Sequence, residues 1–230
     1  MIKFFRKIRY DLMGKNKTGK YFKYAIGEIV LVVIGILIAL SINNWNDERK
    51  NTDKRDTILS NLILDLKKDI IAFKKAEIRN QKSIDFIGDF LRTAQIDNSL
   101  EFIENIDERY AFYPNSSKYK SIISTNQIEL LDDSKIDKLT DYYEYDYYRL
   151  KSWIRDLDFT TKEIGNFMIN VLPKHPIKND TIFNNEVIKL LKQKKVYNLL
   201  SYSQNERIWL NGLVISTRKK AERLIIDLEK

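Results

Sequence analysis

Cysteine is absent from the 230 residues, so no disulfide framework and no thiolate chemistry belong to this chain. A single histidine, His175, excludes any site that needs two imidazoles. Proline occurs only at Pro114, Pro173 and Pro176, and after residue 45 glycine occurs only at Gly88, Gly165 and Gly212. Breakers this sparse leave long stretches free to continue as helix. No glycine-rich phosphate loop, G-x-S-x-G or H-E-x-x-H is present. Strand signals are also weak, because no clear alternating run is framed by turn residues.

What is present is uneven. The net charge is +8, and residues 1–24 hold Lys3, Arg6, Lys7, Arg9, Lys15, Lys17, Lys20 and Lys23 against one acid, Asp11. That arm alone is +7, so residues 25–230 carry only +1. A neutral body with one basic arm beside an apolar run is a membrane pattern, and no nucleic-acid partner is expected.

From Ala25 to Ile42 every residue is apolar or small except Glu28. As a helix, this stretch covers ~27 Å, close to the ~30 Å hydrocarbon core. Tyr21 and Tyr24 precede it and Trp45 follows it, as in an interfacial aromatic belt. The flank from Asn46 to Asp56 balances four cations with four acids. The positive-inside rule therefore places the N-terminus in the cytoplasm and the bulk outside. A cleaved signal peptide is the competing reading, with "ALS" at Ala39–Ser41 as its cleavage site. The long basic region, the length of the apolar core and Glu28 all favour an uncleaved anchor.

Two details refine this anchor. Ile2, Phe5, Ile8 and Leu12 recur at helical spacing among Lys3, Arg6, Lys7 and Arg9, which suits a short amphipathic helix on anionic lipid. Simple topogenic charge without a helix is the plainer alternative. Gly35 and Ala39 each fall within about 20° of Glu28 on a helix wheel. They predict a protein-facing stripe, with a small-xxx-small pair that lets another helix approach.

The body reads as helical throughout. Leu59, Leu62, Leu66, Ile70, Phe73 and Ala76, then Ile84, Ile87 and Leu91, predict one helix over about 46–94, which either continues the span as one rod or breaks from it at Asn43–Asn44. Short helices are expected over 100–110 and 118–125. A longer one starts at a capping box formed by Ser134 and Asp137 and runs to about Val171. Another covers 183–200 with Asn184 or Asn185 as cap. The last is opened by the Ser203–Glu206 box and ends at Leu228. The five tyrosines Tyr142, Tyr143, Tyr145, Tyr147 and Tyr148, with Trp153, cannot all face one core. They either bridge core and rim or form a binding surface.

The segments "KTGKY", "YAIGEIVLVVIGILIAL" and "INNWN" closely resemble the N-terminus of an uncharacterised family of small single-pass membrane proteins from Bacteroidetes. "YKSIISTNQIELLDDSKIDKLTDYY" (119–143) is a weaker echo. The resemblance implies a topology and a class of organism but no reaction. A Gram-negative host implies a periplasmic body. It also makes the Asp-Thr-Ile triplets at Asp56–Ile58 and Asp180–Ile182 candidate O-glycosylation acceptors, at Thr57 and Thr181.

The sequence therefore predicts an all-α protein: a single N-terminal transmembrane helix followed by an extended helical bundle of three long and several short helices. Its expected organisation is a basic arm over 1–24, a span over 25–42 and a periplasmic helical domain over 43–230. Acid pairs such as Asp132/Asp133 and Asp156/Asp158 read as solvated helix faces, so no metal, cofactor or catalysis is expected. The expected function is an interaction module: a subunit, adaptor or scaffold of an inner-membrane complex. Its expected partners are membrane lipid and either another membrane protein or a second copy bound through the span. The alternative is a periplasmic ligand sensor that relays through the span to a separate partner.

Overall fold

The structure, a computed structural model, describes residues 18–107, 115–169 and 181–230. The protein is all-α, and no strand occurs among the described residues. Two compact units are present, Met1–Arg55 and Asp56–Lys230.

Helix α1 is assigned over Thr18–Thr93. No break occurs at Asn43–Asn44. Asn43 donates from Nδ2 to Asp47 Oδ2 (3.2 Å), one turn ahead, so its polar group is satisfied without leaving the helix. In the first unit α1 is long and apolar enough to cross a membrane. The helix ends at Thr93 because Ala94 turns left-handed (φ 54°) while its N–H still reaches Phe90 O (2.8 Å).

The second unit contains the remainder of α1, α2 (Ser99–Asp107) and α3 (Ser117–Ser124). A 3₁₀ turn (Gln127–Leu130), α4 (Asp133–Thr140) and a π-helical turn (Asp141–Asp146) follow. Then come α5 (Tyr147–Ile169), α6 (Thr181–Leu191) and α7 (Lys194–Leu228). Helix α7 lies antiparallel to α1, as Glu77–Arg218, Ile84–Gln204 and Leu91–Tyr197 contacts show. It also runs antiparallel to α5, since Lys220 meets Asp146 just before α5 and Glu206 meets Thr160 further along it. Helices α1 and α5 are thus parallel and α7 descends between them, which makes a three-helix bundle with short helices on its flanks.

Three boundaries differ from the sequence-based expectation. Helix α4 is capped by Asp132, whose Oδ1 accepts from Lys135 N (2.9 Å), and Ser134 already lies inside the helix. The expected helix 183–200 is divided at Lys192–Gln193, and Asn184 spends its side chain on Ser99 N (3.2 Å) instead of a cap. The Ser203–Glu206 box opens nothing: it sits inside α7 with Ser203 fully buried. Ser134 is thus displaced by a neighbouring cap, Asn184 is claimed by a tertiary contact, and Ser203 is buried in the α7 seam.

The core forms three apolar clusters stacked along the bundle. One end holds Ile58, Leu62, Leu66, Tyr119, Leu139, Leu224 and Leu228. The middle holds Phe73, Leu150, Ile154, Leu157, Leu210 and Val214. The other end holds Ile87, Phe90, Phe102, Ile164, Leu191 and Leu200. Polar layers separate them.

Candidate functional site

The core seam of α7 is a strict four-three repeat: Val196, Leu200, Ser203, Arg207, Leu210, Val214, Thr217, Ala221, Leu224 and Leu228, all buried. Three of these positions are polar. The α5 seam carries Thr161 in the same way, and the α1 seam carries Asp69, Asn80 and Ser83. Burying polar side chains costs stability unless they are paired, so their partners define what the layers can do.

The first polar layer lies between the Ile58 and Phe73 clusters. Asp65 and Asp69, one turn apart on α1, are 3% and 4% exposed. They face the π-helical turn of Asp141–Asp146 and the start of α5. In this turn and at the residue after it, Tyr142, Tyr143, Asp146 and Tyr147 all point inward. Tyr145 and Tyr148 point out. Tyr143 stacks on Tyr119 of α3 (centroids 4.4 Å) and meets Tyr142 edge-on (4.9 Å). Asp146 is paired with Lys220 of α7. Asp69 Oδ1 accepts from Asn115 N (3.1 Å), and Lys68 Nζ stands 3.6 Å from Asp65. Asp65 Oδ2, Asp69 Oδ2 and the Tyr142 hydroxyl make no hydrogen bond among the described residues.

Burial pushes the Asp69 carboxyl up to about 6, against the opposing pull of the Asn115 N–H. The Tyr142, Tyr143 and Tyr147 hydroxyls are pushed upward as well, first by burial and then by the Asp69 charge. The phenols therefore stay protonated at neutral pH. The layer holds a carboxyl poised to take up a proton under mildly acidic conditions, without a nucleophile beside it.

The sequence-predicted residues lie elsewhere. Gly35 and Ala39 are exposed on α1, and a Cβ added at Gly35 would meet nothing within 4 Å. Glu28 is half-buried. Thr57 is exposed within α1, and Thr181 is exposed as the first residue of α6. Lys3, Arg6, Lys7, Arg9 and His175 lie outside the described residues. The structure thus gathers the aspartates and tyrosines and leaves Gly35 and Ala39 exposed on α1.

A family of unknown function, DUF6090, matches residues 28–167. The chain belongs to that family. The DUF6090 match takes in Glu28, most of the apolar stretch, both aspartates of the first layer and the tyrosine-bearing turn. No curated protein and no solved structure matches the chain.

The second polar layer of this DUF6090 protein separates the Phe73 and Ile87 clusters. Arg207 is 1% exposed, the largest fully buried side chain among the described residues, and donates to Ile106 O (2.9 Å). Asn80 donates to Arg207 O (2.7 Å), and Ser83 to Asn105 O (2.7 Å). Asn211 donates to Gln81 Oε1 (3.2 Å). Burial raises the neighbouring Glu206 carboxyl, offset in part by the Thr160 hydroxyl. These bonds tie α7 to α1 and α2, so they set helix register. Among the described residues, no cluster of acids and histidines has the arrangement of a metal site.

Sequence reading missed both layers. A four-three repeat puts Ser203, Arg207 and Thr217 in line with the apolar positions of α7, but only the packed neighbours show that they are buried.

Proposed function

We propose that this protein is a single-pass inner-membrane anchor whose helical body serves as an interaction module: a subunit, adaptor or scaffold of a membrane complex, without catalysis. The carrying observation is the apolar surface of α1 between Ile26 and Ile42, where every Ile, Leu and Val is 47–69% exposed. Apolar surface on that scale must be covered by lipid or by another helix. The basic arm orients the N-terminus to the cytoplasm, and the bulk, residues 43–230, is periplasmic in a Bacteroidetes host. Thr57 and Thr181, both exposed, serve there as O-glycan acceptors.

The stripe of Glu28, Gly35 and Ala39 is the side that meets a membrane partner or a second copy. Gly35→Leu or Glu28→Leu is expected to abolish cross-linking through the span in native membranes while insertion stays intact. Unchanged cross-linking in both variants would remove the stripe as an interface. The sensor reading draws support from one feature, the buried Asp69 layer. A monomeric protein whose melting temperature rises with a small molecule would favour it over the module.

A further inference from the structure

Three aliphatic side chains stand on the outward side of α1 in the second unit, seven residues apart: Leu64 (52% exposed), Ile71 (58%) and Ile78 (72%). In an amphipathic helix this outermost position is normally polar. Lysines occupy the places three and four residues on, where neighbours on the same face lie: Lys67, Lys68, Lys74, Lys75 and Lys82, all exposed. The acids of this stretch are withdrawn from the surface, since Asp65 and Asp69 are buried and Glu77 is bound by Arg218. Lys74 and Lys75 have no ion-pair partner among the described residues. The face is an apolar column edged with cations.

A complementary face exists in the same unit. Asp133, Asp137 and Asp141 recur every four residues on α4 and the π turn, all exposed and without an ion pair among the described residues. The ridge continues into Tyr145 (58% exposed) and Tyr148 (72%). It carries acids beside apolar surface, where the α1 column carries cations beside apolar surface. Both faces belong to the same end of the bundle, where Lys67 of α1 reaches Glu229 and Lys138 of α4 reaches Asp227, both near the end of α7.

We infer that a second copy of this chain docks here, with the Leu64–Ile71–Ile78 column of one protomer against the Asp133–Tyr148 ridge of the other. Pairing α1 with α1 would set lysine against lysine and is disfavoured. A two-fold axis lets each protomer offer both faces at once, which closes the contact. The inference rests on the interaction-module reading but not on the stripe in the span.

The cysteine-free sequence makes the test direct. Full-length Ile71→Cys and Tyr145→Cys chains, differently tagged, are co-expressed and cross-linked in native membranes. The mixed-tag product is expected at roughly ten times the yield of an Ile71→Cys and Asn166→Cys pair. Lys74→Glu with Lys75→Glu should remove it, and Asp137→Lys with Asp141→Lys in the partner should restore it. Gly35→Leu should leave it unchanged, so a failed span stripe and a failed body contact are told apart. Absence of the mixed product overturns the inference. So does an Ile71→Cys self-product, or a charge reversal that changes nothing but binding to anionic vesicles.

Discussion

Asp69 sits in an environment far from that of a free carboxylate. Its carboxyl, held near 6 in the folded protein against an ordinary 3.8, is neutral more readily when folded than when unfolded. The sign follows: above about pH 6 the folded state carries the cost of a buried charge, and that cost falls away as the pH drops toward 4. Asp69→Asn keeps the acceptor for Asn115 N and removes the charge. It is expected to stabilise the protein at pH 8 by on the order of 1–3 kcal/mol. Near pH 4 the variant and the parent should converge. Thermal unfolding of the detergent-solubilised protein at the two pH values measures this. An equal effect at both would show that Asp69 is not the titrating group.

Among the elements, α1 shows how its end is set. Ala94 adopts the left-handed conformation that glycine takes without cost, and an L side chain there is strained by about 1–2 kcal/mol. Glycine loses part of that advantage through its freer unfolded chain. Ala94→Gly should therefore raise stability by a net ~0.5–1 kcal/mol, or ~1–4 °C in melting temperature. A lowered melting temperature would mean that the Ala94 side chain contributes packing that outweighs the strain. The π turn makes the complementary point. Its wider winding narrows the arc over which Tyr142, Tyr143, Asp146 and Tyr147 face the core, from about 140° in a regular helix.

The folded body depends on alternation: apolar cluster, polar layer, apolar cluster, polar layer, apolar cluster. The clusters supply most of the stabilisation, and the layers penalise any slip of α7 along α1, because a shifted register would bury Arg207 and Asn80 without their carbonyl partners. Phe73, fully buried in the middle cluster, anchors α1 in its packing with α5 and α7. Phe73→Ala is expected to cost about 3–5 kcal/mol, read as a large fall in the denaturation midpoint. A loss below about 1 kcal/mol would indicate that the middle cluster collapses around the gap.

The all-α class, the apolar membrane-length stretch and the existence of the long helices were legible in the sequence. Each follows from local facts: scarce breakers, an uninterrupted apolar run and three-four periodicity. The tertiary structure alone decided which polar residues lie in the core. Asp65, Asp69 and Arg207 look like members of solvated faces until the seams of three helices are brought together. Asn184 and Ser203 look like caps until Ser99 and the α7 seam claim them. Periodicity reports which side of one helix is apolar. It carries no information about what stands opposite, and a buried charge is decided by what stands opposite.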